Sequence, residues 1–231
     1  MKISVVIPAY NEEVLLPRTI KSLLELDRKP DEIIVVDGGS IDKTADVSKK
    51  LGAIVITVPH RVIGFARQQG LAIAKGDFVA YTDADTIVPK DWLTQIETAL
   101  SKPGVSGAFG SFRVKDGRFF YRLIINVLQP FINQILYWFG IYMAAGQNIS
   151  FIRAKANEAG GFPVDFKIAE DVEMAHRLRK VGRVLYLPRL IVISSGRRGD
   201  EGYKYIFRGL KAFFIYFVLH RGDKVGFPDI R

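Results

Sequence analysis

Seven segments at the start of the chain alternate between two periodicities, and this constrains the fold more than any other feature. Residues 3–8, 32–36, 53–58 and 77–82 are short apolar runs, as expected of strands buried on both faces. Between them, residues 12–26, 42–51 and 63–75 carry apolar side chains at helical spacing, such as Leu16, Ile20, Leu23 and Leu24. Strands joined through helices by short connections are built as βαβ units, so an α/β domain with a Rossmann-like, mostly parallel sheet flanked by helices is expected. Ligands of such sheets bind beyond the carboxyl ends of the strands. Those ends read Pro8-Ala9-Tyr10, Asp37-Gly38-Gly39 and Asp83-Ala84-Asp85, polar and glycine-rich where a site should lie.

After a helix at 91–100 the pattern changes. Residues 105–114 read as another strand. Residues 119–142 are long and apolar but interrupted by Arg122, Asn126, Gln129, Pro130, Asn133 and Gln134. A membrane span needs about 20 mostly apolar residues, so an interfacial pair of helices fits this segment better. A short helix at 156–160, a helix at 167–181, strands at 184–187 and 191–194, and a last helix at 203–220 complete the reading. On the last helix Lys204, Arg208 and Lys211 form a stripe among Tyr203, Phe207, Phe213, Phe214 and Phe217. The expected organisation is one domain over 1–200, in halves 1–100 and 101–200, followed by a C-terminal amphipathic helix in 201–231.

The charge is uneven. The first 118 residues hold 16 basic and 15 acidic side chains, whereas 119–231 hold 17 and 9. A basic, aromatic second half points to a membrane surface or an anionic ligand. No nucleic-acid motif accompanies it, so nucleic acid is not an expected partner. With no cysteine, disulfides, thiolate metal sites and a cysteine nucleophile are excluded, and a reducing compartment fits. The N-terminal apolar run is too short for a signal peptide and reads as the first strand.

Three acidic positions carry the chemistry. In extended chain Asp83 and Asp85, two apart, point to one side. Two carboxylates so placed repel unless a cation lies between them, and Mg²⁺ typically takes one or two carboxylates plus substrate phosphates. A solvated turn capping the next helix explains the same spacing. Asp37 ends a strand in VVDGGSID, where an acid can accept hydrogen bonds from a base or ribose and Ser40 or Asp42 can cap the next helix. Asp171 opens a helix whose apolar face runs through Met174, Ala175, Leu178 and Val181, so it is expected to face inward. It lies in the first turn, where the helix dipole favours the ionised form, and a charged carboxylate at a cleft edge can act as a general base. Helix stabilisation by a first-turn acid, a role open also to Glu170 and Glu173, is the plainer alternative.

Five blocks in order, SVVIPAYNEE at 4–13, DEIIVVDGGSIDKT at 31–44, GFARQQGLAIAKGDFVAYTDAD at 64–85, GQNISFIR at 146–153 and EDVEMAHRLRKVG at 170–182, resemble family 2 glycosyltransferases of the GT-A fold. The resemblance implies an inverting, metal-dependent hexosyltransferase using a UDP- or GDP-sugar with Mg²⁺ or Mn²⁺. It implies that Pro8, Ala9, Tyr10 and Glu12 hold the base and ribose, that Asp37 contacts the base, and that Arg67 sits near the base or diphosphate. Asp83, Ala84 and Asp85 match the metal-diphosphate motif, with Asp85 the more direct ligand, and Asp171 matches the catalytic base. The second block departs from the usual pattern at Gly38-Gly39 and Ile41, and Gln68 stands where Asn is common. The stretch from Ser194 to Gly199 resembles an S-x-R-R segment of some subgroups, which implies that Arg197 or Arg198 folds over the diphosphate.

Residues 119–142 and 203–221 are expected to set the protein peripherally or monotopically on the cytoplasmic side of a membrane, with a lipid-linked acceptor. If that acceptor is a polyprenyl phosphate, it is already ionised and Asp171 orients it instead of deprotonating it. Ordinary core or a dimer interface accounts for the same segments. A nucleotidyltransferase would carry a basic, glycine-rich loop after the first strand, where PAYNEE is acidic. A non-catalytic nucleotide-sugar or lipid binder remains the other class.

Overall fold

The computed structural model describes residues 1–59, 62–166 and 168–197, together with 211, 213, 216 and 217. The chain order is β1 (Ile3–Ala9), α1 (Leu16–Leu24), β2 (Glu32–Asp37), α2 (Thr44–Lys50), β3 (Ile54–Thr57), α3 (Ile63–Ile73), β4 (Phe78–Tyr81), β5 (Thr86–Ile87), α4 (Trp92–Leu100) and β6 (Val105–Val114). Then follow α5 (Phe119–Leu123), a π turn (Ile124–Leu128), α6 (Gln129–Trp138), a 3₁₀ turn (Gly146–Asn148), β7 (Ile149–Ile152), α7 (Arg153–Glu158), α8 (Glu170–Val181) and β8 (Arg183–Ser194).

The strands form one sheet in the order β3-β2-β1-β4-β7-β6-β8-β5. The first four are parallel, as the βαβ alternation requires, and β6 pairs parallel with β8. β7 runs antiparallel between β4 and β6, and β5 runs antiparallel to β8. Alternation along β1 divides the core: Ile3, Val5 and Ile7 pack with α1 and α4 on one face, and Val6 packs with α3 and α8 on the other. A Cβ on Gly70 would lie 2.3 Å from a Val6 methyl, so glycine there is what lets α3 close on β1.

Several expected boundaries shift for local reasons. α1 starts at Leu16 and not at residue 12, because Pro17 favours the first helical turn and 10–15 form a loop. The two strands expected at 184–187 and 191–194 are a single strand, β8. Its register against β6 jumps from Leu187 to Ile191 across Gly110/Ser111, so a bulge absorbs Pro188, which has no N–H to give the ladder.

Residues 119–138 form a continuous helical path and not a pair of helices, with α-helical dihedrals at both junctions of the π turn. Pro130 supplies the physical reason: its ring clashes with the carbonyl four residues back, and a wider turn immediately before it relieves the clash. Asn126, within that turn, accepts the Val114 N–H and donates to the Val114 carbonyl, both at 2.9 Å, docking the segment on the end of β6. The helix expected from residue 203 lies mostly outside the described residues. Of its described positions, Tyr216 is buried and donates to Glu173 at 2.7 Å, so that ring packs against α8.

Candidate active site

The loops after β1 and β2 are stitched together by side chains. Ala9 pairs with Asp37 across the strands. Asn11 adopts a left-handed φ of 53°, which asparagine tolerates, and its N–H donates to Ser40 Oγ at 2.8 Å. Ser40 Oγ in turn donates to Asp37 Oδ1 at 2.5 Å, so Ser40 orients Asp37 and does not cap the following helix. Asp42, one residue before the N-cap Lys43, accepts the Thr44 N–H at 2.9 Å, while Thr44 Oγ1 accepts the Glu12 N–H at 2.8 Å. Pro8, Ala9 and Glu12 are buried and Tyr10 is half-buried. Asp37, at 2% exposure, offers little carboxylate surface to a base.

Asp83-Ala84-Asp85 does not continue the strand. Thr86 N–H donates to the Asp83 carbonyl at 3.2 Å, so the tripeptide sits in a turn between β4 and β5. Thr19 Oγ1, on α1, donates to the Ala84 carbonyl at 2.8 Å and pins that turn. The expectation of two carboxylates on one side of an extended chain is therefore replaced by two separately paired acids. Asp83 pairs with Arg67 at 3.1 Å, and Asp85 pairs with Arg197 at 2.9 Å.

Arg67 lies on α3 and is enclosed by carboxylates. Its side chain is 3% exposed, and its terminal nitrogens contact Glu170, Asp83 and, at 4.0 Å, Asp171. The position expected beside the base or diphosphate is thus the internal tie between the Asp83 turn and the start of α8, because three carboxylates surround the guanidinium. Gly146 makes room for it: a Cβ there would fall 1.9 Å from an Arg67 nitrogen. The same Gly146 donates its N–H to Asp171 Oδ2 at 2.7 Å, and Val172 N–H donates to Asp171 Oδ1 at 2.8 Å. Both oxygens of Asp171 are oriented.

Asp171 faces inward as its helix face requires, with its side chain 19% exposed. Glu170, read as an optional first-turn acid, is more deeply buried and is the main partner of Arg67. Burial pushes the carboxyls of Glu170 and Asp171 above the ordinary carboxylate range; repulsion from Asp171 adds to this at Glu170 and repulsion from Asp83 adds to it at both, with Arg67 pulling the other way. The helix dipole alone therefore does not keep Asp171 at an ordinary acidity. Glu170 and Gly146 were the members of the cluster hardest to recognise. The glycine opens the fourth matching block and the glutamate stands beside Asp171, but neither position advertises a contact with Arg67.

Arg197, just after β8, pairs with Glu12 at 2.5 Å as well as with Asp85. Arg198 lies outside the described residues. Among the described residues, Glu12, Asp83, Asp85, Glu170 and Asp171 face two guanidinium groups, a formal charge of −3 with all acids ionised. A diphosphate entering such a site needs added positive charge. Among the described residues no three metal-ligating side chains cluster, so a cation at Asp83 and Asp85 would complete its shell with phosphate oxygens, as Mg²⁺ commonly does.

A sequence profile of glycosyl transferase family 2 matches residues 4–172, from β1 into the first turn of α8. The chain belongs to this family. The probable glycosyltransferase YdaM of Bacillus subtilis strain 168 is 32% identical to this family 2 chain over 215 residues, covering 82% of it. The chain spans only 50% of the length of YdaM. The mannosyltransferase PcManGT of Pyrobaculum calidifontis, solved with GDP-Man and Mn²⁺, superposes with a TM-score of 0.71 at 23% identity, covering 98% of this chain and 65% of that one. Glucosyl-3-phosphoglycerate synthase of Mycobacterium tuberculosis, solved with Mn²⁺, UDP and glucosyl-3-phosphoglycerate, superposes with a TM-score of 0.64 at 24% identity, covering 92% and 78%. These likenesses establish the fold as the GT-A type expected of the family.

Proposed function

We propose that this family 2 chain is an inverting glycosyltransferase that moves a hexose from a UDP- or GDP-sugar to a lipid-linked acceptor at a membrane surface. The observation that carries the catalytic reading is the junction at Arg67, which joins the Asp83 turn to the Asp171 helix start. The donor class is supported by the nucleotides named for the two solved relatives, GDP-Man in one and UDP in the other, each with Mn²⁺. The loop of Pro8, Ala9, Tyr10 and Glu12 and the Asp37 turn would hold the nucleoside, with Arg197 and Arg198 over the diphosphate. Mg²⁺ or Mn²⁺ bound at Asp83 and Asp85 would stabilise the charge developing on the leaving diphosphate.

Asp171 is the base. Its two oxygens are held by the Gly146 and Val172 N–H groups, which leaves it oriented at a partly open edge. The acceptor oxygen attacks the anomeric carbon from the face opposite the nucleotide, the bond from that carbon to the phosphate oxygen breaks, and the acceptor proton passes to Asp171. Where the acceptor is a polyprenyl phosphate there is no proton to take, and the same carboxylate orients the nucleophile.

The membrane reading rests on α5, the π turn and α6. Phe119, Phe120, Val127, Phe131, Trp138 and Phe139 are all exposed on this segment. Arg118 and Arg122 flank the first aromatics, and no acidic residue occurs from 117 to 157. Cations beside exposed rings suit an anionic headgroup layer. Among the described residues no helix is long and apolar enough to cross a membrane; the contact proposed is peripheral or monotopic, on the cytoplasmic side. The segment leads directly into Gly146 and so to Asp171, which supports an acceptor delivered from a lipid surface.

A donor screen tests the assignment. UDP- and GDP-sugars are offered with Mg²⁺ or Mn²⁺ while binding and turnover are measured, with Asp85→Ala and Asp171→Ala as controls. Turnover that either substitution leaves intact refutes the mechanism. Binding without turnover for any acceptor identifies a non-catalytic sugar-nucleotide binder.

A further inference from the structure

Two arginines of the site, Arg67 and Arg197, are held differently. Arg67 is enclosed and tied by three carboxylates. Arg197 has 31% of its side chain exposed, and its guanidinium reaches across from β8 to pair bidentately with Glu12, at 2.5 and 3.3 Å, and with Asp85 at 2.9 Å. It thus sits on a carboxylate that a metal bound with the donor would need.

The backbone beneath Arg197 is anchored on both sides. Thr86 pairs with Ser194 across β5 and β8, and their hydroxyls hydrogen-bond at 2.7 Å. Ser195 N–H donates to the Asp85 carbonyl at 3.2 Å, so Arg197 stands two residues from a direct tie to the metal-motif turn. Gly196 N–H donates to Asp116 Oδ1 at 2.6 Å, and a Cβ on Gly196 would fall 2.0 Å from the Asp116 carbonyl oxygen. With 194–196 held this closely, a change of partner by Arg197 requires rotation of its own side chain and no shift of the strand. A guanidinium is also the side chain best shaped to move from a carboxylate fork to a phosphate fork.

We propose, on the donor-site reading above, that Arg197 is a resident counter-cation: it bridges Glu12 and Asp85 before the donor arrives, and on donor binding it leaves Asp85 and pairs with the diphosphate. Asp85 then exchanges one cation for another, and the arginine ends on the anion that arrives with the metal. The arrangement couples metal binding to donor binding, because metal alone must displace Arg197 with no phosphate to receive it.

This coupling has a signature of opposite sign. The full chain, Arg197→Gln and Arg197→Lys are titrated with Mn²⁺ alone, read as free Mn²⁺ by electron paramagnetic resonance, and with UDP or GDP in saturating Mn²⁺ by calorimetry. Arg197→Gln is expected to bind Mn²⁺ alone roughly tenfold more tightly and the nucleoside diphosphate roughly tenfold more weakly, the scale of one hydrogen bond to a charged group. Arg197→Lys should fall between it and the parent, retaining charge but losing the fork. Both affinities falling together, or neither moving, overturns the exchange. A readout on the unsubstituted protein covers the case of misfolded variants: the arginine Nη–H resonances, followed as UDP or GDP is added in Mg²⁺, should show one set shifting from a carboxylate-paired position, and no such shift also overturns it. Failure of the parent protein to bind Mn²⁺ or either diphosphate would instead remove the donor-site reading itself.

Discussion

Arg67 and Glu170 lie 103 residues apart in the chain and form a buried ion pair in the fold, their side chains 3% and 7% exposed. The same guanidinium reaches Asp83, so one side chain sets the turn at 83–85 relative to the helix that carries Asp171. Geometry between two site elements contributed by distant segments depends on such a tie.

Removing that tie should cost stability and activity together. Arg67→Met leaves Glu170 buried beside Asp171 without a cation, and loss of one partner of a buried pair destabilises by about 3–5 kcal/mol. Chemical denaturation should show the loss as a lower midpoint. Arg67→Lys should recover part of it, since an ammonium cannot reach Asp83 and Glu170 with a planar fork. A full-strength fold in Arg67→Met would contradict the pairing.

Gly146→Ala addresses geometry more directly. The added methyl would overlap the Arg67 guanidinium and disturb the N–H that orients Asp171. Turnover should fall on the order of 100-fold, the effect of a misplacement near 1 Å. Donor affinity should change far less, because Glu12, Asp37 and Asp85 lie in other loops. Steady-state kinetics beside calorimetric donor binding separate the two.

The acid side of the pH profile should be displaced upward. Burial raises the carboxyls of Glu170 and Asp171 above the ordinary value near 4, so activity requiring ionised Asp171 should fail at a higher pH than a free carboxylate would allow. Stability should run the opposite way. A carboxyl whose folded-state pKa is raised binds its proton more tightly folded than unfolded. Its contribution is therefore full below the unfolded value and is lost as pH rises through the folded one. Thermal midpoints across this window should decline with pH in the parent and flatten in Glu170→Gln. A parent midpoint that climbs through the window would reverse the assignment.

Asp83 and Asp85 should separate on substitution. Asp85→Asn removes a carboxylate that Arg197 shares with Glu12, so Mn²⁺-dependent donor binding should be lost with little change in folding. Asp83→Asn also deprives Arg67 of a partner and should lower the thermal midpoint as well as donor binding. Equal thermal midpoints for the two variants would argue against the different roles of the two arginines.

The exposed aromatics of α5 and α6 should bind vesicles. Flotation with anionic liposomes is expected to carry the parent protein, and Phe131→Ser with Trp138→Ser should reduce binding while leaving donor affinity intact. High salt should weaken the interaction through Arg118 and Arg122. Parent protein that remains with the unbound fraction refutes the membrane contact, and a concentration-dependent dimer would identify the ridge as an interface between copies.

Much of the site was legible because it depends on local rules. Apolar runs ending in polar residues located the strand ends, and the face shared by Asp171, Met174 and Leu178 turned that carboxylate inward. The turn at Asp83 was less legible, since the alternation of an extended chain stops where β4 stops. The burial of Glu170 could not be read from its own helix, where it looks like any first-turn acid. Its environment is set by an arginine on α3, more than a hundred residues earlier.

What the sequence alone determined is the strand-helix alternation of residues 3–82, the parallel run of its four strands, and the acids that could form a site. Side-chain periodicity and short connections suffice for those. Only the tertiary structure decided that β7 enters antiparallel beside β4, that Arg67 lies buried beneath the site, and that Arg197 shares Asp85 with Glu12. These depend on which distant cation reaches which carboxylate, and long-range pairing in a low-dielectric interior leaves no periodic trace in the chain.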